Sequence, residues 1–310
     1  MAKQLLTVLF LICFQIISQA QDLMEILEQE TPAQTHYVTG TFKGTRIING
    51  HSIENRTKGI LEFLISHRFG KINNGIDELF GLDESNIRFA LEYGLTDDLM
   101  LGLGRSSFDK TYDGFAKYKL LKQRYGEKPF PISMSLFGSI AIKTLKDYEP
   151  ENKPEFTDRI FYTSQIFIAR KFSESFSFQI TPTYIHRNSV KIEEDPHDIF
   201  AIGSGFRHKL TKRMSINMEY FYTINPLKSI NTKNSFAIGV DIETGGHVFQ
   251  LMVSNAITMI EKSFITETTD DFFKGDIHLG FNITRAFHLG EDKKNIPENW
   301  EEETESSDEG

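Results

Sequence analysis

The sequence predicts an all-β protein, a single antiparallel transmembrane β-barrel with twelve strands, or fourteen as the alternative. Three observations lead to this fold. Large apolar residues alternate with small or polar ones in many segments, as in 236–242 and 277–283. An export-type leader precedes these segments, and no run of about 18 apolar residues offers a helical membrane span. Because side chains alternate across a strand, each segment has one apolar face, which in such a barrel meets lipid.

The first element is a predicted signal peptide at residues 1–20. Lys3 supplies the positive charge at its start, an apolar run follows over 5–17, and Ser18-Gln19-Ala20 forms a small-x-small cleavage site. A signal anchor is the alternative interpretation. Cys13, the single cysteine, falls inside this leader, so we expect the exported chain to carry no thiol, disulfide or thiolate metal site.

Residues 21–56 are predicted as an N-terminal segment that stays in the periplasm or enters the barrel lumen. An apolar-alternating piece at 37–48 is followed by the turn-forming Asn49-Gly50-His51. Counting strands back from the C-terminus leaves this piece without a place in an even-numbered barrel. We therefore assign it to the segment and not to the membrane wall.

The barrel is predicted to occupy residues 57–289. Tight connections such as 96–98 alternate with long polar ones such as 144–158. Outer-membrane barrels keep short turns in the periplasm and longer loops outside, so both ends of the barrel are expected in the periplasm. The loop at 70–83 is expected to be ordered and to fold toward the barrel mouth. The twelve strand candidates are 59–69, 86–95, 99–106, 113–122, 132–143, 159–171, 175–187, 199–210, 214–223, 235–242, 248–255 and 275–287.

The C-terminal residues 290–310 are predicted to be an acidic disordered tail. The stretch 298–309 is mostly Glu, with Trp300 as its one aromatic residue. Binding of a periplasmic protein partner to this tail is a hypothesis. The net charge of −9 argues against a nucleic-acid partner, because phosphate binding needs clustered Lys and Arg.

In each strand, the residues that alternate with the apolar ones are expected to face the lumen. These candidate lumen-facing residues include both positively and negatively charged side chains. Buried charges need partners, so two interpretations stay open: a salt-bridge network that fills the lumen, or the lining of a selective wet conduit. Three arginines near one rim would favour anionic solutes, or would instead cap carbonyls and contact lipid headgroups; they are Arg68, Arg88 and Arg105. The candidate lumen residues are Arg88, Glu92, Lys117, Arg207, Glu219, Asp241, Asp276 and His278.

The sequence does not predict an enzyme. It lacks a Gly-x-Ser-x-Gly elbow, a phosphate loop and a His-Glu-x-x-His helix, and its nine histidines have no ligand spacing. No cofactor and no metal are expected. The preferred function is a porin-like conduit for small solutes. A scaffold that binds envelope proteins and a barrel hydrolase using a wall histidine such as His278 are the alternatives.

Several stretches resemble a bacterial family of uncharacterised outer-membrane β-barrels, classed as a domain of unknown function. The residues that carry the resemblance include His67-Arg68-Phe69-Gly70, Leu79-Phe80-Gly81-Leu82-Asp83, Gly104-Arg105-Ser106-Ser107 and Gly280-Phe281-Asn282-Ile283. Such stretches span about residues 40–290. The resemblance implies a single barrel domain in the outer membrane, in contact with the lipid bilayer. It implies no substrate and no catalytic residue.

Overall fold

The computed structural model describes residues 34–145, 154–244 and 247–289. The predicted signal peptide and acidic tail lie outside these residues. The described chain forms two units, and the smaller comprises 34–38 and 123–131. In it strand β1 (His36–Tyr37) pairs antiparallel with β6 (Arg124–Tyr125), and the His36 and Tyr125 rings stack with centroids 5.2 Å apart.

The larger unit is a closed barrel of twelve antiparallel strands. Each barrel strand pairs with the next barrel strand along the chain, and the last pairs with the first, where the register shifts between His278 and Gly280. The prediction of twelve strands is confirmed, and the alternative of fourteen is wrong. The strands are β2 (Ile60–Lys71), β3 (Ser85–Gly94), β4 (Leu99–Ser106), β5 (Tyr112–Leu121), β7 (Ser133–Ile142), β8 (Ile160–Lys171), β9 (Phe176–Arg187), β10 (Asp198–Lys209), β11 (Met214–Thr223), β12 (Ser235–Thr244), β13 (His247–Ser254) and β14 (His278–His288).

The apolar parity of the strands forms the outside of the barrel, as predicted. Leu103 on β4 and Leu251 on β13 are 71% and 56% exposed, whereas the residues beside them, such as Gly102 and Gln250, are buried. The same alternation runs along the other barrel strands. A continuous apolar outer surface is what contact with hydrocarbon requires.

Short turns and most of the long loops lie at opposite ends of the barrel, the long connection 122–132 between β5 and β7 being the exception. The short-turn end carries connections 95–98, 172–175 and 210–213, and the long-loop end includes 188–197 and 255–277. The one α-helix among the described residues, α1 (Glu261–Thr266), belongs to the β13–β14 loop. No helix in these residues is long and apolar enough to cross a membrane. Short 3-10 segments lie at Ile72–Asn74, Ile76–Gly81, Phe108–Lys110, Thr157–Arg159 and Phe272–Lys274.

The loop that turns inward is not the predicted one. In the β2–β3 loop, Ile76 is 72% exposed and Leu79 and Phe80 are each 49% exposed, so this loop presents its apolar side chains at the surface. The β13–β14 loop instead enters the barrel, and all six residues of α1 are buried. Its apolar residues, among them Phe264 and Ile265, pack in one cluster with apolar wall residues. Burial of this apolar surface favours the inward position of the loop.

The barrel interior is more apolar than the sequence suggested. The lumen-facing parity includes large side chains besides the small and polar ones, and the N-terminal segment packs against them. Phe42, Ile47, Ile48 and Ile53 of that segment are each 4% exposed or less. The wall residues of this cluster are Met100, Phe115, Phe137, Phe167, Ala169, Ala237 and Met252.

Candidate functional site

A hairpin of the N-terminal segment occupies the lumen. Arg46 and His51 form an antiparallel bridge, the Ile47 N–H donates to the Gly50 carbonyl at 2.8 Å, and the Ser52 N–H donates to the Thr45 carbonyl at 2.9 Å. Asn-Gly sequences favour such tight turns, so the turn predicted at Asn49 is present, but inside the barrel. We call residues 39–56 the lumen hairpin.

Glu219 on β11 binds the tip of the lumen hairpin. Its carboxylate accepts hydrogen bonds from the backbone N–H groups of Ile48 (3.1 Å), Asn49 (2.8 Å) and Gly50 (3.0 Å). Glu219 is only 1% exposed. Hydrogen bonds to a charged acceptor are roughly twice as strong as neutral ones, so this clasp attaches the tip firmly to the wall.

Amide side chains of the wall hold the carbonyl groups of the same turn. Gln250 on β13 donates to the Ile47 carbonyl at 2.6 Å, and Asn282 on β14 donates to the Ile48 carbonyl at 2.9 Å. These bonds and the Glu219 clasp satisfy both edges of the turn. The backbone polar groups of the tip are therefore paired although they lie deep in the barrel.

Arginine and lysine side chains of the wall complete the attachment. The Arg68 guanidinium donates to the Asn49 side-chain oxygen at 2.7 Å, and Lys117 Nζ donates to the Ser52 and Glu54 carbonyls at 3.0 and 2.5 Å. Arg68 and Lys117 are fully buried. Each cation would face the lumen if the hairpin were absent.

Arg46 joins the lumen hairpin to the wall and to the inward loop. Its guanidinium lies 3.3 Å from the carboxylate of Glu92 on β3 and 3.3 Å from that of Glu261 on α1. The same group donates to the Asn49 carbonyl at 3.2 Å. The two elements that fill the barrel, one from each end, thus meet at Arg46 and Glu261.

His51 is enclosed by aromatic rings at this meeting point. The Phe115 and Phe137 ring centroids are each 4.5 Å from that of His51, and Glu261 Oε1 lies 3.5 Å from its Nε2. Burial lowers the pKa of His51 well below its ordinary value, and the charges of Arg46, Lys117 and Arg88 lower it further. His51 is therefore neutral in the docked hairpin at neutral pH.

Five of the predicted lumen residues are buried inside the barrel. Glu92, Lys117 and Glu219 contact the lumen hairpin as described above. Arg88 pairs with Asp113 on β5 through a Nη2–Oδ2 distance of 2.5 Å, and Asp241 accepts from Gln250 at 2.6 Å. These two side chains pair within the wall.

The remaining three predicted residues lie near the ends of the barrel. Arg207 is partly exposed and donates to the Gly40 carbonyl at 3.1 Å. His278 is buried and contacts Asp270 through Nε2 at 2.9 Å. Asp276 precedes β14 in the long loop, where it accepts from the Asn73 side chain at 2.8 Å. The structure does not bring Asp276 to the lumen hairpin.

The three rim arginines do not form one cluster. Arg68 and Arg88 lie inside the barrel, where Arg68 also donates to the backbone carbonyls of His67 and Phe281. Arg105 is exposed on the outer parity, with its guanidinium carbon 5.5 Å from the centroid of the Tyr112 ring. Alternate residues of a strand point to opposite faces of the sheet. Arg105 on the outer face is therefore separated from Arg68 and Arg88 on the inner face.

Residues that the sequence did not single out take a central part in the site. Arg46 and His51 belong to the hairpin and Glu261 to a loop, so strand parity gave no signal for them. The Asn49-Gly50 turn beside Ile47-Ile48 was the available indication of a compact hairpin. Within the described ranges, no group of three His, Cys, Asp or Glu residues is arranged to hold a metal ion.

A family model described as a membrane bound beta barrel domain (DUF5777) matches residues 42–287, which include most of the lumen hairpin. Among solved structures, the NanC porin matches with a TM-score of 0.46 and 8% identity over 74% of this chain and 100% of that chain. The KdgM porin gives 0.44 and 7% over 74% and 99%. The COG4313 outer membrane channel from Pseudomonas putida F1 gives 0.44 and 12% over 76% and 97%. No curated protein matches the chain.

Proposed function

We propose that the chain, which belongs to the family of membrane bound beta barrel domains, is an outer-membrane conduit for small solutes and that its own lumen hairpin holds it shut. The proposal rests on this family membership and on the contents of the lumen. The observation that carries the proposal is the Glu219 clasp. A wall carboxylate holds three backbone N–H groups of a segment that is not part of the wall.

The polar interface between hairpin and wall supports a removable plug. Glu219, Lys117, Arg68, Gln250 and Asn282 all lie on wall strands, and each would meet water if the hairpin left. A polar group that exchanges a protein partner for water loses only about 0.5–1.5 kcal/mol net, or about 1.5–3 kcal/mol where a charge takes part.

The path of the chain also supports withdrawal of the hairpin. At one end of the hairpin the Gly40 carbonyl accepts from Arg207, near the end of β10. Just after its other end the Lys58 N–H donates to Asp97 in the β3–β4 turn at 3.1 Å. Both ends therefore lie at the short-turn end of the barrel. The hairpin can leave on that side without passing through the wall.

A solute-uptake assay in liposomes tests the proposal. We compare the wild-type chain with a variant in which residues 41–56 are replaced by a short Gly-Ser linker. We expect little swelling in an isosmotic solution of a small neutral sugar for the wild type and rapid swelling for the variant. A shift in electrophoretic mobility on heating verifies that both barrels are folded.

The filled lumen also favours a second candidate, a scaffold that does not transport. In that case the interior residues stabilise the barrel and the outside or the loops bind partners. A folded hairpin-deleted barrel that remains impermeable to the sugar would refute a conduit that the lumen hairpin alone holds shut, and it would favour this scaffold.

A further inference from the structure

A large cavity opens among the long loops. Its volume is about 1220 Å³, which is large enough for a small organic molecule with its hydration water. The lining residues come from the β4–β5, β7–β8, β9–β10, β11–β12 and β13–β14 loops and the adjacent strand ends. Five of the lining residues are cationic and four are acidic: Lys143, Arg159, Arg187, Lys191 and Lys262, with Asp109, Asp158, Asp195 and Glu267.

Two of the four acidic residues are neutralised by lining cations. Glu267 lies 2.9 Å from Arg187 and 3.1 Å from Lys262, and Asp109 lies 3.7 Å from Lys143 and 3.5 Å from Lys262. Burial raises the pKa of Glu267, but the charges of Lys262 and Arg187 outweigh burial and hold its pKa at about 2. Glu267 is therefore charged at neutral pH, and both carboxylates are occupied by lining cations.

The other two acidic residues are occupied by backbone N–H groups. Asp195 accepts from the Lys228 and Ser229 N–H groups at 2.7 and 2.8 Å, and Asp158 accepts from the Glu155 N–H at 2.9 Å. Hydrogen bonds of this kind stabilise a loop carboxylate in place. None of the four acids is thus directed at the open volume without a partner.

Arg159 and Lys191 are the lining cations with no carboxylate partner within the described residues. The Arg159 Nε atom is buried and has no hydrogen-bond partner there. A guanidinium presents several donors in a planar fork that matches the oxygens of an acid. Among the described lining residues the five cations thus outnumber the four acids by one, and Arg159 has a donor without a partner.

Apolar side chains form another part of the cavity lining. Phe108, Leu145, Val190, Leu227 and Ile230 contribute to it. We propose that the long-loop cavity binds an organic acid whose acidic group meets Arg159 and Lys191 and whose apolar or aromatic body lies on these side chains. Binding at this site requires no opening of the lumen, so it can be tested separately from conduction.

Calorimetric titration of the full-length protein in detergent tests the site with 2-naphthoate as the probe. 2-Naphthamide, which has the same ring and no charge, reports binding by the ring alone. We expect naphthoate to bind at least about tenfold more tightly than naphthamide. The double variant Arg159→Ala/Lys191→Ala should lower the naphthoate affinity about tenfold or more, as loss of charge-assisted hydrogen bonds does.

The matched control is Lys212→Ala/Arg213→Ala, which removes one lysine and one arginine from the exposed β10–β11 turn at the other end of the barrel. It should leave the naphthoate affinity unchanged. The mobility shift on heating verifies that both double variants fold. The proposal is overturned by absence of naphthoate binding, by equal affinity for naphthamide, or by an unchanged affinity in Arg159→Ala/Lys191→Ala. None of these results bears on whether removing the hairpin opens the lumen.

Discussion

Replacing Glu219 by Gln should release the tip of the lumen hairpin. The wild-type carboxylate accepts three N–H groups, from Ile48, Asn49 and Gly50. A Gln side chain has one carbonyl oxygen and an NH₂ group that cannot accept, so it leaves at least one of the three N–H groups facing another donor. The substitution preserves the size of the side chain and removes its charge.

The magnitude follows from the type of bond that is lost. A hydrogen bond to a charged group contributes about 1.5–3 kcal/mol, and a buried donor left unpaired costs about 1–3 kcal/mol. Conversion of the three bonds into one or two neutral ones should therefore destabilise the docked hairpin by about 3 kcal/mol. Because 1.4 kcal/mol is a factor of ten, the undocked fraction should rise by roughly 100-fold or more.

Hydrogen exchange read by mass spectrometry measures this fraction, and single-channel recording shows its effect on conduction. In Glu219→Gln, the peptide that contains residues 48–50 should exchange about 100-fold faster, while peptides of the wall strands keep their protection. Brief openings should become more frequent in planar bilayers.

The matched control is Asp113→Asn, another buried carboxylate changed to its amide. Asp113 pairs with Arg88 in the wall and, within the described part of the chain, makes no hydrogen bond or ion pair to the lumen hairpin. This control should destabilise the barrel without exposing the hairpin. Equal exchange at residues 48–50 in wild type and Glu219→Gln, or the same acceleration in Asp113→Asn, would refute the role of the clasp.

Two further predictions concern packing and pH. Gly94→Ala should displace the chain just after the hairpin, because the new Cβ would lie 2.1 Å from the Thr57 carbonyl oxygen. Limited proteolysis of this variant should therefore be faster than that of the wild type. The control Gly138→Ala, whose new Cβ would meet no atom within 4 Å, should be cleaved like the wild type. Because His51 docks in its neutral form, the free energy of hairpin docking should be constant above about pH 6.5. Below that pH the docking free energy should weaken by up to ~1.4 kcal/mol per pH unit. Protection factors of the hairpin, from hydrogen exchange corrected for the intrinsic exchange rate at each pH between 7.5 and 5.5, should show this loss in wild type and not in His51→Asn.

Much of the barrel could be predicted because its physical signal is local. Alternation of apolar and polar residues has a period of two in any strand, so segments such as 236–242 revealed both the wall and its outer face. The lengths of most connections then indicated the side on which they lie, with 122–132 between β5 and β7 as an exception. The inward direction of Glu92, Lys117 and Glu219 followed from the same parity.

The contents of the lumen could not be read in the same way. Whether a wall carboxylate such as Glu219 faces water, a cation or a backbone turn depends on which distant segment enters the barrel. The entry of the β13–β14 loop depends on long-range packing of Phe264 and Ile265, for which the sequence has no periodic signal. The large inward residues such as Phe115 become explicable once the hairpin is seen to pack on them.

The most direct test of the gating account locks the lumen hairpin to the wall. The Asn49 side-chain nitrogen lies 3.4 Å from Ser254 Oγ on β13, and the predicted exported chain has no cysteine of its own. Asn49→Cys/Ser254→Cys is therefore built on the Glu219→Gln variant, and a short reducible cross-linker joins the two thiols. Single-channel recording should show a silent barrel while the cross-link is intact and stepwise conductance after reduction. Conductance that is the same before and after reduction would contradict the account.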